Sequence, residues 1–256
     1  MRLFMTQRDP RITYILRQGD TPLILAQRLC AWCGHAPELE IDLALANVGL
    51  DLLGQARNFL GYAAELLGPP HSEDTLAFGR DEREFHNLLL AEQPNGGFND
   101  TLVRQFLLDA YHLLLHRELS RSRDPRLAAI GAKSLKEAEY HLRFSRGWMV
   151  RLGDGSETSH QKIQQSLDAL WRFTAELFHA DDNEIELAER GIAVDPRQLQ
   201  QPWQALVSET LQQATLTLPQ QPAFRFGGKQ GQHTEHLGFM LAEMQFLQRA
   251  YPDSRW

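Results

Sequence analysis

Cysteine is scarce in this chain of 256 residues: there are two, Cys30 and Cys33, both in the run CAWCGH. Their C-x-x-C spacing matches a redox motif, but helical patterns surround it and no strand is at hand to build a thioredoxin-like βαβ unit. A structural zinc site would need two further ligands, and only His35 is near. The sequence therefore predicts two small buried thiols one helical turn apart. An excess of basic residues is also missing. With 26 Lys and Arg against 33 Asp and Glu, the net charge is -7 and the pI about 5.8. No basic stripe is left to neutralise phosphates, which argues against nucleic acid as a partner. Acidic partners are disfavoured too, outside a local patch. Long uninterrupted apolar runs are absent from the first twenty residues, MRLFMTQRDPRITYILRQGD, where Arg, Asp and Gln break every stretch. Neither a signal peptide nor a spanning helix fits there, so the expectation is a soluble cytoplasmic protein with no membrane partner. Internal repeats, low-complexity tracts and a clear linker are lacking as well.

What the chain does have is 43% apolar residues, recurring at helical rather than alternating spacing almost throughout. The reading is all-α and a single domain over residues 1–256. A first helix is expected from about Thr21 to Gly34 and a second from Pro37 to Leu67. A third should cover EDTLAFGRDEREFHNLLLAEQ, residues 73–93. Asn99 or Asp100 can cap a fourth through about Arg121, and Asp124-Pro125 opens a fifth that runs to Leu152. Further helices are expected from about Ser159 to His179 and from Asp195-Pro196 onward. The segment 216–232 is the one long stretch without helical pattern, and residues 233–251 form a last helix.

The second helix is apolar in nearly every direction, so burial on several sides is expected. Asn47, Asp51, Gln55 and Asn58 nevertheless fall on one of its faces. Burying such groups unpaired costs about 1 to 3 kcal/mol each, so partners are expected: facing polar groups, a metal, or solvent.

A metal is the most demanding of these partners. Bundles that hold a carboxylate-bridged metal pair take a Glu from each of two helices and a Glu-x-x-His from each of two others, since that spacing puts both side chains on one face. Ten histidines among 33 acids give roughly one acid-x-x-His match by chance. The chain has three: Asp109/His112, Glu157/His160 and Glu176/His179. The last two read as surface or capping residues, with ADDNE after His179 solvent-exposed. At i, i+4 spacing, Glu82/His86 reads as a solvated face, and His112/His116 as a core edge satisfied by backbone or acid partners. His141, in KEAEYHLRFSRGW, is harder to dismiss, because a facing carboxylate from Asp109 could reach it.

Longer runs carry a resemblance. WCGHAPELEIDLALANVGLDLLGQARNFL, DTLAFGRDE, EQPNG, YHLRFSRGWMVRLG, LWRFTAELF, GIAVDP and HTEHLGFMLAEMQFLQRAYP together resemble the C subunits of the bacterial 1,2-phenylacetyl-coenzyme A epoxidases, multicomponent monooxygenases of phenylacetate degradation. The resemblance spans residues from about 12 to 256. It implies a ferritin-like four-helix bundle core with additional C-terminal helices. It also implies a structural, non-catalytic role beside a related A subunit that holds the di-iron centre and binds the acyl-coenzyme A, with a B subunit in the assembly and a reductase that supplies electrons. On that pattern three positions stand against metal ligands: Asp51, Asp109 and His141. Gly54 stands where a histidine is expected, Ala138 where a glutamate is expected, and the first helix, TPLILAQRLCAWCG, has no acid. Two aspartates and one histidine would leave a pair of irons under-ligated. The expectation is a degenerate site without cofactor, its acids paired with His141, Asn47 or Gln55. The rival reading is a metal-dependent oxidase or oxygenase acting by itself, with Asp51, Asp109, His141 and Glu137 as partial ligands. A third is a stand-alone binding or storage bundle.

Overall fold

The computed structural model describes residues 9–251; the first eight residues of the polar N-terminal stretch lie outside them. The described residues are helical, with no strand among them. Four long helices dominate: α1 (Pro10–Trp32), α2 (Leu39–Leu67), and, after the short α3 (Glu73–Phe78), α4 (Phe98–Leu119) and α5 (Pro125–Gly153). Helices α6 (Glu157–Trp171), α7 (Asp182–Glu189), α8 (Gln200–Gln213), α9 (Glu235–Met244) and α10 (Phe246–Ala250) follow. Short connections pair α1 with α2 and α4 with α5. Helices α2 and α5 also pack together, and α6 and α8 lie on α4 and α5. Buried apolar side chains from Tyr14 in α1 to Leu241 in α9 form one continuous core. Among the described residues no helix is long and apolar enough to cross a membrane.

Several helix ends follow the expected chemistry. Asp124 accepts from the backbone N–H groups of Arg126 and Leu127 and caps α5, with Pro125 at its first position. At the start of α4, the Asp100 carboxylate accepts the Gly97 N–H. Between α1 and α2 the chain turns through Gly34 at φ +85°, a conformation that costs glycine little. Asp42 accepts from the Gly34 N–H and holds the turn.

The structure corrects several expectations. Helix α1 starts at Pro10, not near Thr21, because Asp9 caps it by accepting from Arg11 N–H, and Pro22 sits in its interior. The predicted helix over 73–93 ends at Phe78. Beyond it the N–H groups of His86, Leu88 and Leu89 donate to side chains of Asp20, Thr21 and Glu176 instead of to a helical ladder. The segment from Ser159 to His179 is broken after Trp171 into a 3-10 turn, Thr174–Phe178, and ADDNE opens α7 rather than a solvent loop. The last predicted helix is two, α9 and α10, meeting at Gln245, whose side chain donates to the carbonyls of Ala77 and Arg80. Cys30 and Cys33 are exposed, not buried: they lie at the end of α1, where the helix leaves the core.

Candidate functional site

The three singled-out residues converge between α2, α4 and α5. His141 reaches from α5, only 2% exposed, and its Nε2 lies 3.0 Å from Asp51 Oδ2 on α2. Asp109 projects from the middle of α4, one of the most buried helices, since a hydrophobic residue stands on nearly every side of it. Its two oxygens are both engaged. Oδ1 accepts from Gln105 Nε2 at 2.6 Å and Oδ2 from the Ser145 hydroxyl at 2.7 Å. Burial pushes the Asp109 carboxyl up to about 6, against the opposing pull of His141, Ser145 and Gln105. Beside this group, Gln55 on α2 donates to Glu137 on α5 at 2.9 Å.

Each carboxylate is thus spent on a protein partner. Ala138 on α5, where the resemblance leads one to expect a glutamate, is buried and can donate nothing, and Gly54 has no side chain at all. Among the described residues no group of three or more His, Cys, Asp and Glu is arranged to hold a metal ion. The donor set does not fit a di-iron pair, which requires several carboxylate oxygens to offset the charge of two multivalent ions.

Of the expected amide partners, Gln55 is buried and engaged, but Asn47 is exposed and lies outside the group. Gln105 and Ser145 did not stand out in the sequence. Their signal is spacing: Gln105 precedes Asp109 by four, and Ser145 follows His141 by four, so each shares its neighbour's helix face.

The remaining histidine pairs divide. His160 Nδ1 lies 2.7 Å from the Gly153 carbonyl at the junction of α5 and α6, in the capping role expected. His86 is half-buried and contacts the Lys229 carbonyl, off any helix, rather than lining a solvated face with Glu82. His112 and His116 are both buried and stack at 5.7 Å between centroids. Neither ring nitrogen of His116 has a hydrogen-bond partner, contrary to the expectation that backbone or acid groups satisfy it. Burial holds both imidazoles neutral, His112 down to about 3 and His116 well below its ordinary range. Glu176 is a correction as well. It is buried and accepts from the backbone N–H groups of Leu89, Gly227 and Gly228, so it fastens two loops and is not a surface acid.

A second polar centre lies under the loop after residue 216. The buried Glu92 accepts from Thr234 N–H and hydroxyl, from Asn87 and from His233. This carboxylate fixes the residues that lead into α9, while Glu176 holds the preceding stretch through Gly227 and Gly228.

The outer face of α2 also differs from expectation. Leu39, Leu43, Leu50 and Leu53 are exposed, and at 100° per residue they fall within one arc of the helix. Gly54 and Gly61 have open space on the side where a Cβ would stand. The helix is buried on its other faces only.

A family model described as phenylacetic acid catabolic protein matches residues 3–256. The chain is also similar to the 1,2-phenylacetyl-CoA epoxidase C subunit of Escherichia coli (strain K12), with 65% identity over 243 residues, 95% of this chain and 98% of the relative. With nearly its whole length covered by both matches, the chain belongs to the phenylacetic acid catabolic protein family.

Proposed function

We propose that this chain is a ferritin-like, non-catalytic structural subunit of a phenylacetyl-CoA epoxidase and supports a related A subunit. That A subunit would hold the di-iron centre and carry out the reductive activation of dioxygen and the epoxidation of the aromatic ring. A B subunit would join the complex, and a reductase would dock transiently. The observation that carries the reading is the commitment of Asp51, Asp109 and Glu137 to His141, to Gln105 and Ser145, and to Gln55. A carboxylate already hydrogen-bonded to protein partners, beside positions 54 and 138 that offer no donor, has little left for a metal.

The work assigned to this chain's own residues is packing and docking. The Asp51–His141 and Asp109 groups fix the register of α2, α4 and α5 without adding much stability. The leucine stripe on α2 offers a smooth apolar surface of the kind that obligate subunit interfaces bury. Iron analysis of the chain purified alone from iron-replete cells tests the first half: the expected content is far below one iron per chain. Stoichiometric iron lost in His141→Ala would establish the self-sufficient oxidase instead. Size-exclusion chromatography with the A subunit at micromolar concentration tests the second half. A homo-oligomer that ignores the A subunit would refute the structural role.

A further inference from the structure

Between α1, α2 and α4 lies a cavity of about 20 Å³, room for one water-sized or halide-sized particle. Arg17, Tyr111, His112, His116, His86 and Lys229 line it, and no carboxylate does. Two of its walls carry unmatched donors. Arg17 is only 6% exposed; its Nη2 is bonded to Asp181 and its Nη1 lies 3.5 Å from Glu184, while Nε has no hydrogen-bond partner among the described residues. His116 is 3% exposed with both ring nitrogens unpartnered. Leaving a buried donor bare is costly, so a ligand that accepts from Arg17 and from the one N–H of the neutral His116 ring is favoured there.

The charge balance defines the class of that ligand. A cation is opposed by the two positive side chains lining the wall, Arg17 and Lys229, although the neutral imidazoles of His112 and His116 would otherwise suit one. Lys229 commits its ammonium to Glu184 and the His179 carbonyl, and Arg17 pairs with Asp181 through Nη2 and with Glu184 through Nη1. Neither acid lines the cavity, so the charged groups that face it are donors, and because the two acids offset the two cations the site takes one negative charge at most. One acceptor in the wall comes from Pro22, which has no N–H to give the carbonyl of Gln18 four residues back. That carbonyl can take the N–H of a histidine or the O–H of water, and it leaves the Arg17 Nε–H free.

We propose that the cavity is a binding site for one small monovalent anion of chloride size, held by the free Nε–H of Arg17 and a ring N–H of His116.

Bromide replaces chloride and scatters anomalously, so a crystal of the full chain grown in bromide gives a direct reading. An anomalous peak inside the cavity beside Arg17 is expected. In solution, replacing gluconate by chloride at constant ionic strength should raise Tm by about 3 °C once chloride reaches about ten times its dissociation constant. Arg17→Lys keeps the charge that faces Asp181 but removes the Nε donor, and His116→Phe keeps the ring volume. Both variants, shown to be folded by circular dichroism, should lose the anomalous peak and at least half of the chloride shift. A cavity that holds only water in bromide crystals overturns the proposal. So does a chloride shift that is the same in both variants as in the parent.

Discussion

His141 on α5 and Asp51 on α2 meet at 3.0 Å, the imidazole buried and the carboxylate side chain 41% exposed. The pair bridges interior and solvent between α2 and α5. Because water still reaches Asp51, the contact adds little to stability, about 1 kcal/mol or less. His141→Leu is therefore expected to fold and to change unfolding free energy by about 1 kcal/mol in either direction. Turnover per assembled epoxidase complex should stay within about twofold of the parent; a thousandfold loss would place the chemistry in this chain.

Asp109 makes stability depend on pH. Its folded carboxyl is held at about 6, above the ordinary 3.8, chiefly by burial, so the native state holds the proton more tightly than the unfolded chain. Stability should fall as pH rises from about 4 to 6, by about 3 kcal/mol in all, and level off above. Urea unfolding of Asp109→Asn beside the parent isolates this slope, and equal slopes would contradict the assignment.

The Glu92–His233 contact, 2.8 Å with both side chains fully buried, also stabilises the fold most on the acid side of its transition. Burial depresses His233, but Glu92 outweighs it and raises the imidazole above its ordinary 6.5. Its stabilisation is complete below that value and is lost as pH climbs through the raised one. His233→Ala should cost about 3 kcal/mol, since it leaves Glu92 buried with a charge unmatched. Chemical denaturation at pH 6 and pH 8.5 checks both statements: the variant's penalty should shrink at the higher pH.

On the α2 stripe, Leu43→Glu and Leu50→Glu change exposed side chains and should leave Tm within about 2 °C. Together they should weaken association with the A subunit by at least about tenfold, as a charge buried in an apolar interface does. Unchanged co-elution would remove the stripe from the interface.

Cys30 and Cys33 should both react with an aromatic disulfide reagent in the native protein, since both are exposed. Reaction only after unfolding would show that they are covered.

Much of the helical reading was legible because its causes are local. Asp124-Pro125 announces the start of α5 and Gly68 the end of α2 from neighbouring residues alone. Where the sequence misled, a distant group supplied the deciding bond. Residues 86–89 have helical pattern, yet their N–H groups are taken by Asp20, Thr21 and Glu176 from elsewhere in the chain.

The candidate site divides along the same line. That residues 54 and 138 cannot donate is a matter of residue type, and composition settled it without any fold; the expectation that the first helix has no acid failed, because α1 begins at Pro10 and carries Asp20, buried against Arg80. Which partners Asp109 finds, that Glu176 and Glu92 lie in the core, and that four leucines of an apolar helix face outward were decided only when the helices packed. A hydrogen bond or a buried face depends on which groups come within about 3 Å of each other in space, and helical spacing fixes only the face that a residue shares.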